Sequence, residues 1–197
     1  MFRPGKEHFF SETLGGMQEV WLTGGGGEAV NITADIGVPR LAAAQVPVTT
    51  GLERFIDQPV EVLDRTFRLT ALSWGNPHCV AFVEDTASLP VEKYGPAIER
   101  NTALFPRRTN VTSAQVVRPD YLKNRGWERR TGESIGCGTG CCTAVVAGAL
   151  LGLCARKAEV EQIGGVLQVE WRTQDDHVRM TGPSHIVYEG EYRDETD

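Results

Sequence analysis

Apolar and polar residues alternate with a period of two along much of the chain. Residues 18–22 and 29–36 follow this alternation and flank the four glycines Gly24 to Gly27, which predicts a hairpin. A run of glycines can also cradle phosphate, but no helical pattern follows it, so the loop reading is favoured. Further strands are predicted over residues 60–63, 67–74, 79–83, 110–117, 121–129, 160–163, 166–171, 178–180 and 186–192. Gly75-Asn76-Pro77-His78 is a turn signal between two of them. Residues 37–48 hold Pro39 and Pro47 and read as a connection, and residues 91–100 have helical spacing.

One segment, residues 138–153, predicts a longer helix. Ala144, Val145, Val146, Ala147, Ala149, Leu150 and Leu151 leave it no polar face, so it must be buried all round. Its neighbours along the chain are strands. The economical fold is α+β: a curved, mainly antiparallel sheet wrapped round one central buried helix. No simple β-α-β alternation is visible, which argues against a doubly wound sheet.

Composition changes this picture little. A chain of 197 residues with 41% hydrophobic residues makes one ordinary domain or two small ones. The net charge of -6, from 20 basic and 26 acidic residues with no block of one sign, argues against nucleic acid as a partner. Residues 1–7 are mostly polar and no apolar run follows, so no secretory signal is expected. Residues 134–155 carry no charge, but their apolar part, 141–155, is shorter than the ~20 residues of a membrane span. No membrane association is expected. The cysteines are Cys79, Cys137, Cys141, Cys142 and Cys154. An odd, clustered set is not a disulfide framework; free thiols predict a reducing, cytoplasmic setting.

Candidate chemistry collects where the apolar helix begins. Gly136-Cys137-Gly138-Thr139-Gly140 leads into it. The first N–H groups of a helix lack internal partners, the dipole is positive there, and glycines permit close approach, so a carboxylate is a fitting ligand. The same field predicts a lowered pKa for Cys137 and makes it the most acidic thiol of the chain. Cys141, Cys142 and Cys154, within or just after the helix, read as small buried residues. No zinc-type spacing is completed by Cys137, Cys141, Cys142 or His78, so no metal is expected. Upstream, Glu128 is a candidate proton partner for Cys137, and Arg129 a candidate grip for a second carboxylate. Alone, that charged run would read as a solvated strand end. His78, taken alone, reads as a surface residue of the turn in which Asn76 offers its amide.

Together, Gly75-Asn76-Pro77-His78, Glu128-Arg129-Arg130-Thr131-Gly132-Glu133 and Cys137-Gly138-Thr139-Gly140 resemble diaminopimelate epimerase. Residues 105–110 resemble a fourth, less specific block, and the similarity runs from about Glu12 to the C-terminus. The resemblance implies two pseudo-symmetric halves, each a sheet round a helix and each supplying one cysteine. It implies interconversion of LL- and meso-diaminopimelate without any cofactor, in lysine and peptidoglycan precursor synthesis. Cys137 would be the cysteine of the second half, with Glu128 its proton partner and His78 assisting the opposing cysteine. Asn76, Asn110, Glu128 and Arg129 would hold the distal end of the substrate, and Gly138 and Thr139 would offer N–H groups to the carboxylate at the reacting centre. A homodimer remains open.

Departures from the pattern shape the expected domains. The family's first half carries its own Cys-Gly-Asn-Gly helix start, and no cysteine precedes Cys79 here. Residues 1–45, joined by a C-terminal strand within 186–197, are therefore expected to be a remnant of the first half, and residues 46–185 the complete second half. Arg130 stands where the family commonly has glycine. The competing readings are a non-catalytic amino-acid-binding relic of this fold, a proline racemase-like relative and a phenazine-type isomerase.

Overall fold

A computed structural model describes residues 7–13, 16–23, 30–185, 187–188 and 190–191. The strands are β1 (His8–Thr13), β2 (Gly16–Thr23), β3 (Val30–Gly37), β4 (Gln58–Val62), β5 (Arg65–Ser73), β6 (Pro77–Phe82), β7 (Asn110–Arg118), β8 (Tyr121–Glu128), β9 (Gly132–Ser134), β10 (Lys157–Gln162), β11 (Gly165–Trp171) and β12 (Val178–Ser184). Helix α1 spans Val91–Glu99 and helix α2 spans Gly138–Leu150. All the strands join one sheet in the order β1-β2-β3-β12-β11-β10-β8-β7-β6-β5-β4, with β9 paired to β8 off this path.

The sheet is mainly antiparallel, but β6/β7 and β8/β10 are parallel. Parallel neighbours need a crossover, and each crossover carries a helix: α1 between β6 and β7, α2 between β8 and β10. The α+β class holds and the sheet is not doubly wound, although two parallel crossovers occur that the alternation does not display. They step the same way across the sheet, yet β8 runs antiparallel to β7. Crossovers of one hand must then put their helices on opposite faces.

Two cores follow from that geometry. On one face α1 and residues 43–55 cover Phe67, Leu69, Ala71, Cys79, Ala81 and Val111. On the other, α2 covers Leu72, Val80, Ala114, Leu122, Val160 and Val169. Buried on both faces, β6 reads as a nearly continuous apolar run, whereas β5 still alternates over residues 66–70. Helix α2 touches β6, β7, β8, β10, β11 and β12, so the sheet does curl round it, and residues 140–148 are all buried.

The helix stops at Leu150, short of the expected 153. Gly152 takes φ +69°, and the Leu153 N–H bonds Gly148 O at 2.8 Å while the Gly152 N–H bonds Ala149 O at 3.2 Å. This left-handed glycine closure satisfies the last carbonyls and turns the chain away. Strands β1 and β9 were not expected. The three residues of β9 carry no apolar pattern and become a strand only by pairing with β8. Strand β3 is continued by β12, not by a strand over 186–192. Within that stretch residues 187, 188, 190 and 191 are not in a strand, and the others lie outside the described residues, as does the glycine turn at 24–27.

Candidate active site

Cys137 occupies the position just before α2, in extended conformation at φ -134° and ψ 100°. Its N–H donates to Gln162 Oε1 at 2.8 Å, which ties the helix start to the end of β10. Its sulfur lies 3.7 Å from Thr139 Oγ1, and the N–H groups of Thr139 and Gly140 also bond it. The helix start thus holds the Cys137 sulfur with two N–H groups and a hydroxyl.

The expected lowering of the Cys137 pKa is not what the structure shows. Burial raises it, and the Glu128 carboxylate raises it further, while the Thr139 hydroxyl and the N–H groups of Gly140 and Thr139 pull the other way. Desolvation outweighs the helix field. The other thiols are governed by burial with less to oppose it: Cys79 and Cys141 are pushed up to about 12 and Cys154 to about 11. All five cysteines are free.

Strand register assembles the remaining candidates. His78 on β6 neighbours Asn110 on β7, and their side chains meet at 3.4 Å between Asn110 Nδ2 and His78 Nε2. Asn110 Oδ1 accepts the backbone N–H of Arg129 at 2.8 Å, fixing the turn that follows β8. The Arg129 guanidinium donates to Arg107 O at 2.9 Å, which tethers it to the 105–110 loop. Asn76 sits half-buried in the turn before β6.

His78 is not the surface residue its turn suggests; it is fully buried. Burial, then the nearby Arg129 charge, lower its pKa to about 3. At neutral pH it is an uncharged imidazole that orders Asn110. Arg130 adopts φ +70°, a left-handed conformation that favours glycine. Its N–H donates to the buried Glu99 carboxylate at 3.3 Å, which Arg108 also meets at 3.2 Å.

Gly138 is packed so that a Cβ there would lie 2.7 Å from Met180 Sδ. The structure adds Gln162, which no local pattern marks because its partner is 25 residues away. Among the described residues no group of three or more His, Cys, Asp or Glu side chains lies close enough to hold a metal ion. No helix among them is long and apolar enough to cross a membrane.

The fold, a sheet curled round a buried helix, is shared with solved structures of an epimerase and of a phenazine-biosynthesis protein. A hydroxyproline epimerase from Agrobacterium vitis shares it at TM-score 0.60 and 13% identity, covering 95% of this chain and 59% of that one. A PhzF-family phenazine biosynthesis protein from Bacillus anthracis does so at TM-score 0.59 and 15% identity, covering 92% and 67%.

The chain belongs to the diaminopimelate epimerase family, whose profile matches residues 70–187. It is 45% identical over 183 residues to the diaminopimelate epimerase of Gloeothece citriformis, covering 92% of this chain and 63% of the relative. Over 181 residues it is 45% identical to that of Moorella thermoacetica, covering 92% and 64%. The chain thus spans less than two thirds of the length of these curated relatives.

Proposed function

We propose that this chain carries one thiol half-site of a cofactor-independent diaminopimelate epimerase, with Cys137 exchanging the α-proton on one face of the substrate. The observation that supports this reading most is the arrangement at the start of α2. A partly buried thiol is held by two backbone N–H groups and a hydroxyl within the field of the Glu128 carboxylate, and the Arg129 backbone next to Glu128 is fixed by Asn110. The setting is the formation of lysine and peptidoglycan precursors in the cytoplasm.

In the proposed step the Cys137 S–H bond breaks as its proton passes to Glu128. The thiolate then takes the α-hydrogen, and the electron pair left on carbon spreads into the α-carboxylate. The helix start, at Gly138 and Thr139, stabilises the charge that grows there. Arg129, Asn76 and Asn110 hold the distal amino-acid end, and His78 acts through Asn110. Inversion needs a proton donor on the other face. Cys79, Cys141 and Cys142 are fully buried, and Cys154 follows the far end of α2, so none of them reaches that face. The second thiol comes from outside the residues that build this site.

Protection of Cys137 from alkylation tests the reading. Diaminopimelate should slow iodoacetamide labelling of Cys137 and proline should not, because a substrate without a polar distal end leaves Arg129 and Asn110 unpaired. Arg129→Lys should weaken the protection. Equal protection by proline would overturn the assignment.

A further inference from the structure

Beside Cys137 a cavity of about 10 Å³ lies between β7, β8, β9, the end of β10 and the start of α2. Asn124, Ser134, Thr112 and Gln162 are among its lining residues, together with Cys137 itself. Asn124 is only 6% exposed. Neither its Nδ2 nor its Oδ1 meets a nitrogen or oxygen partner at hydrogen-bond distance and angle, nor does Ser134 Oγ; the amide does neighbour the buried Cys141 thiol, a weak partner that leaves most of its capacity unused. Buried amides and hydroxyls are rarely left so. The Asn124 amide and the Ser134 hydroxyl, which together offer donors and acceptors, thus line a space the size of one water molecule, which needs two to four such partners.

The lining is neutral apart from the thiol. It offers no carboxylate to a cation and no basic side chain to an anion. Gly126 keeps the space open: a Cβ there would sit 3.7 Å from Ser134 Oγ and 4.0 Å from Cys137 Cβ, in ordinary contact with both. We propose that Asn124 and Ser134 bind one internal water molecule at the foot of Cys137, and that this water, with Gln162, positions the thiol and stabilises its thiolate. Asn124 is then a positioning residue: it never meets substrate and acts through the water. The assignment rests on Cys137 being the reactive thiol of the proposed function.

The other titratable groups acting on Cys137 are Glu128 from β8 and Cys141 and Cys142 from α2. The test should leave them in place. Asn124→Leu removes both amide atoms at similar size, and Gly126→Ala, two residues further along β8, fills the cavity while leaving the Asn124 amide and the Ser134 hydroxyl in place. Each should raise the pH midpoint of Cys137 alkylation by about one unit, seen as roughly 10-fold slower labelling at neutral pH. A role in packing alone would lower the melting temperature and leave that midpoint in place. Should Asn124→Leu not fold, Gly126→Ala carries the test.

A high-resolution crystal structure of the unaltered chain should show an ordered water within hydrogen-bonding distance of Asn124 and Ser134. Density with the Asn124 amide turned onto Cys141 and no water, or wild-type alkylation midpoints in the folded variants, would overturn the proposal. Neither readout uses diaminopimelate. A missing water therefore counts against this proposal alone, and failed substrate protection counts against the function alone.

Discussion

Gly95→Ala sets two effects of similar size against each other. Gly95 lies inside α1, where alanine is favoured over glycine by about 1 kcal/mol on helix propensity alone. A Cβ at that position, however, would lie 2.6 Å from Trp127 Cγ, 2.7 Å from its Cβ and 2.8 Å from its Cδ2. Carbon atoms pack at roughly 3.5–4.0 Å, so about 1 Å of movement is required. The contacts are at the root of the indole, so rotating the ring brings no relief and the β8 backbone has to give. Overpacking of this kind costs about 1–3 kcal/mol. After the propensity gain, a net loss of up to about 2 kcal/mol is expected, a fall of up to roughly 8 °C in melting temperature for a chain of this size. Urea titration of both proteins, with unchanged slope, would measure it. Because Trp127 directly precedes Glu128 and Arg129, the displaced strand should also shift the Cys137 alkylation midpoint. A Gly95→Ala protein that is more stable than the parent would refute this packing argument.

Three further outcomes are expected. Arg130→Gly should raise the urea midpoint slightly, because relief of a left-handed arginine, about 1–2 kcal/mol, exceeds the roughly 0.5–1 kcal/mol of added chain entropy; a lower midpoint would contradict it. Glu128→Gln should move the alkylation midpoint of Cys137 to lower pH, since the carboxylate raises that thiol's pKa, and an upward shift would show that Glu128 acts otherwise. His78 binds its proton less readily folded than unfolded, about 3 against 6.5, so its effect on stability is absent above pH 6.5 and stability is lost as pH falls between those values, by up to about 1.4 kcal/mol per pH unit. His78→Gln should flatten that part of the stability profile; an unchanged slope would place the titration elsewhere.

The legible parts of the fold were those set by local pattern. Helix α2 was plain because residues 144–151 have no polar face, and the place of Cys137 just before it followed from the glycines around it. What depended on distant partners was hidden. β9 is a strand only through β8, and the two parallel crossovers cannot be read from alternation. The sign of the Cys137 shift was misjudged because burial and Glu128, both tertiary facts, outweigh the helix field that the sequence displays. His78 read as a surface turn residue because nothing local shows that β7 closes over it. Asn124 and Gln162 carry no local signal of their connection to Cys137.

The central claim is that Cys137 moves the α-proton on one face only, and proton exchange in D₂O tests it most directly. LL-diaminopimelate is incubated with the chain and with Cys137→Ala, and α-deuteration and the meso isomer are followed separately. The account predicts slow deuteration with retained configuration, abolished in Cys137→Ala, and no appreciable meso product, since one positioned acid–base group, a factor of roughly 10²–10⁴, is lacking on the opposite face. Deuteration that survives Cys137→Ala, or rapid formation of the meso isomer by this chain alone, would contradict it.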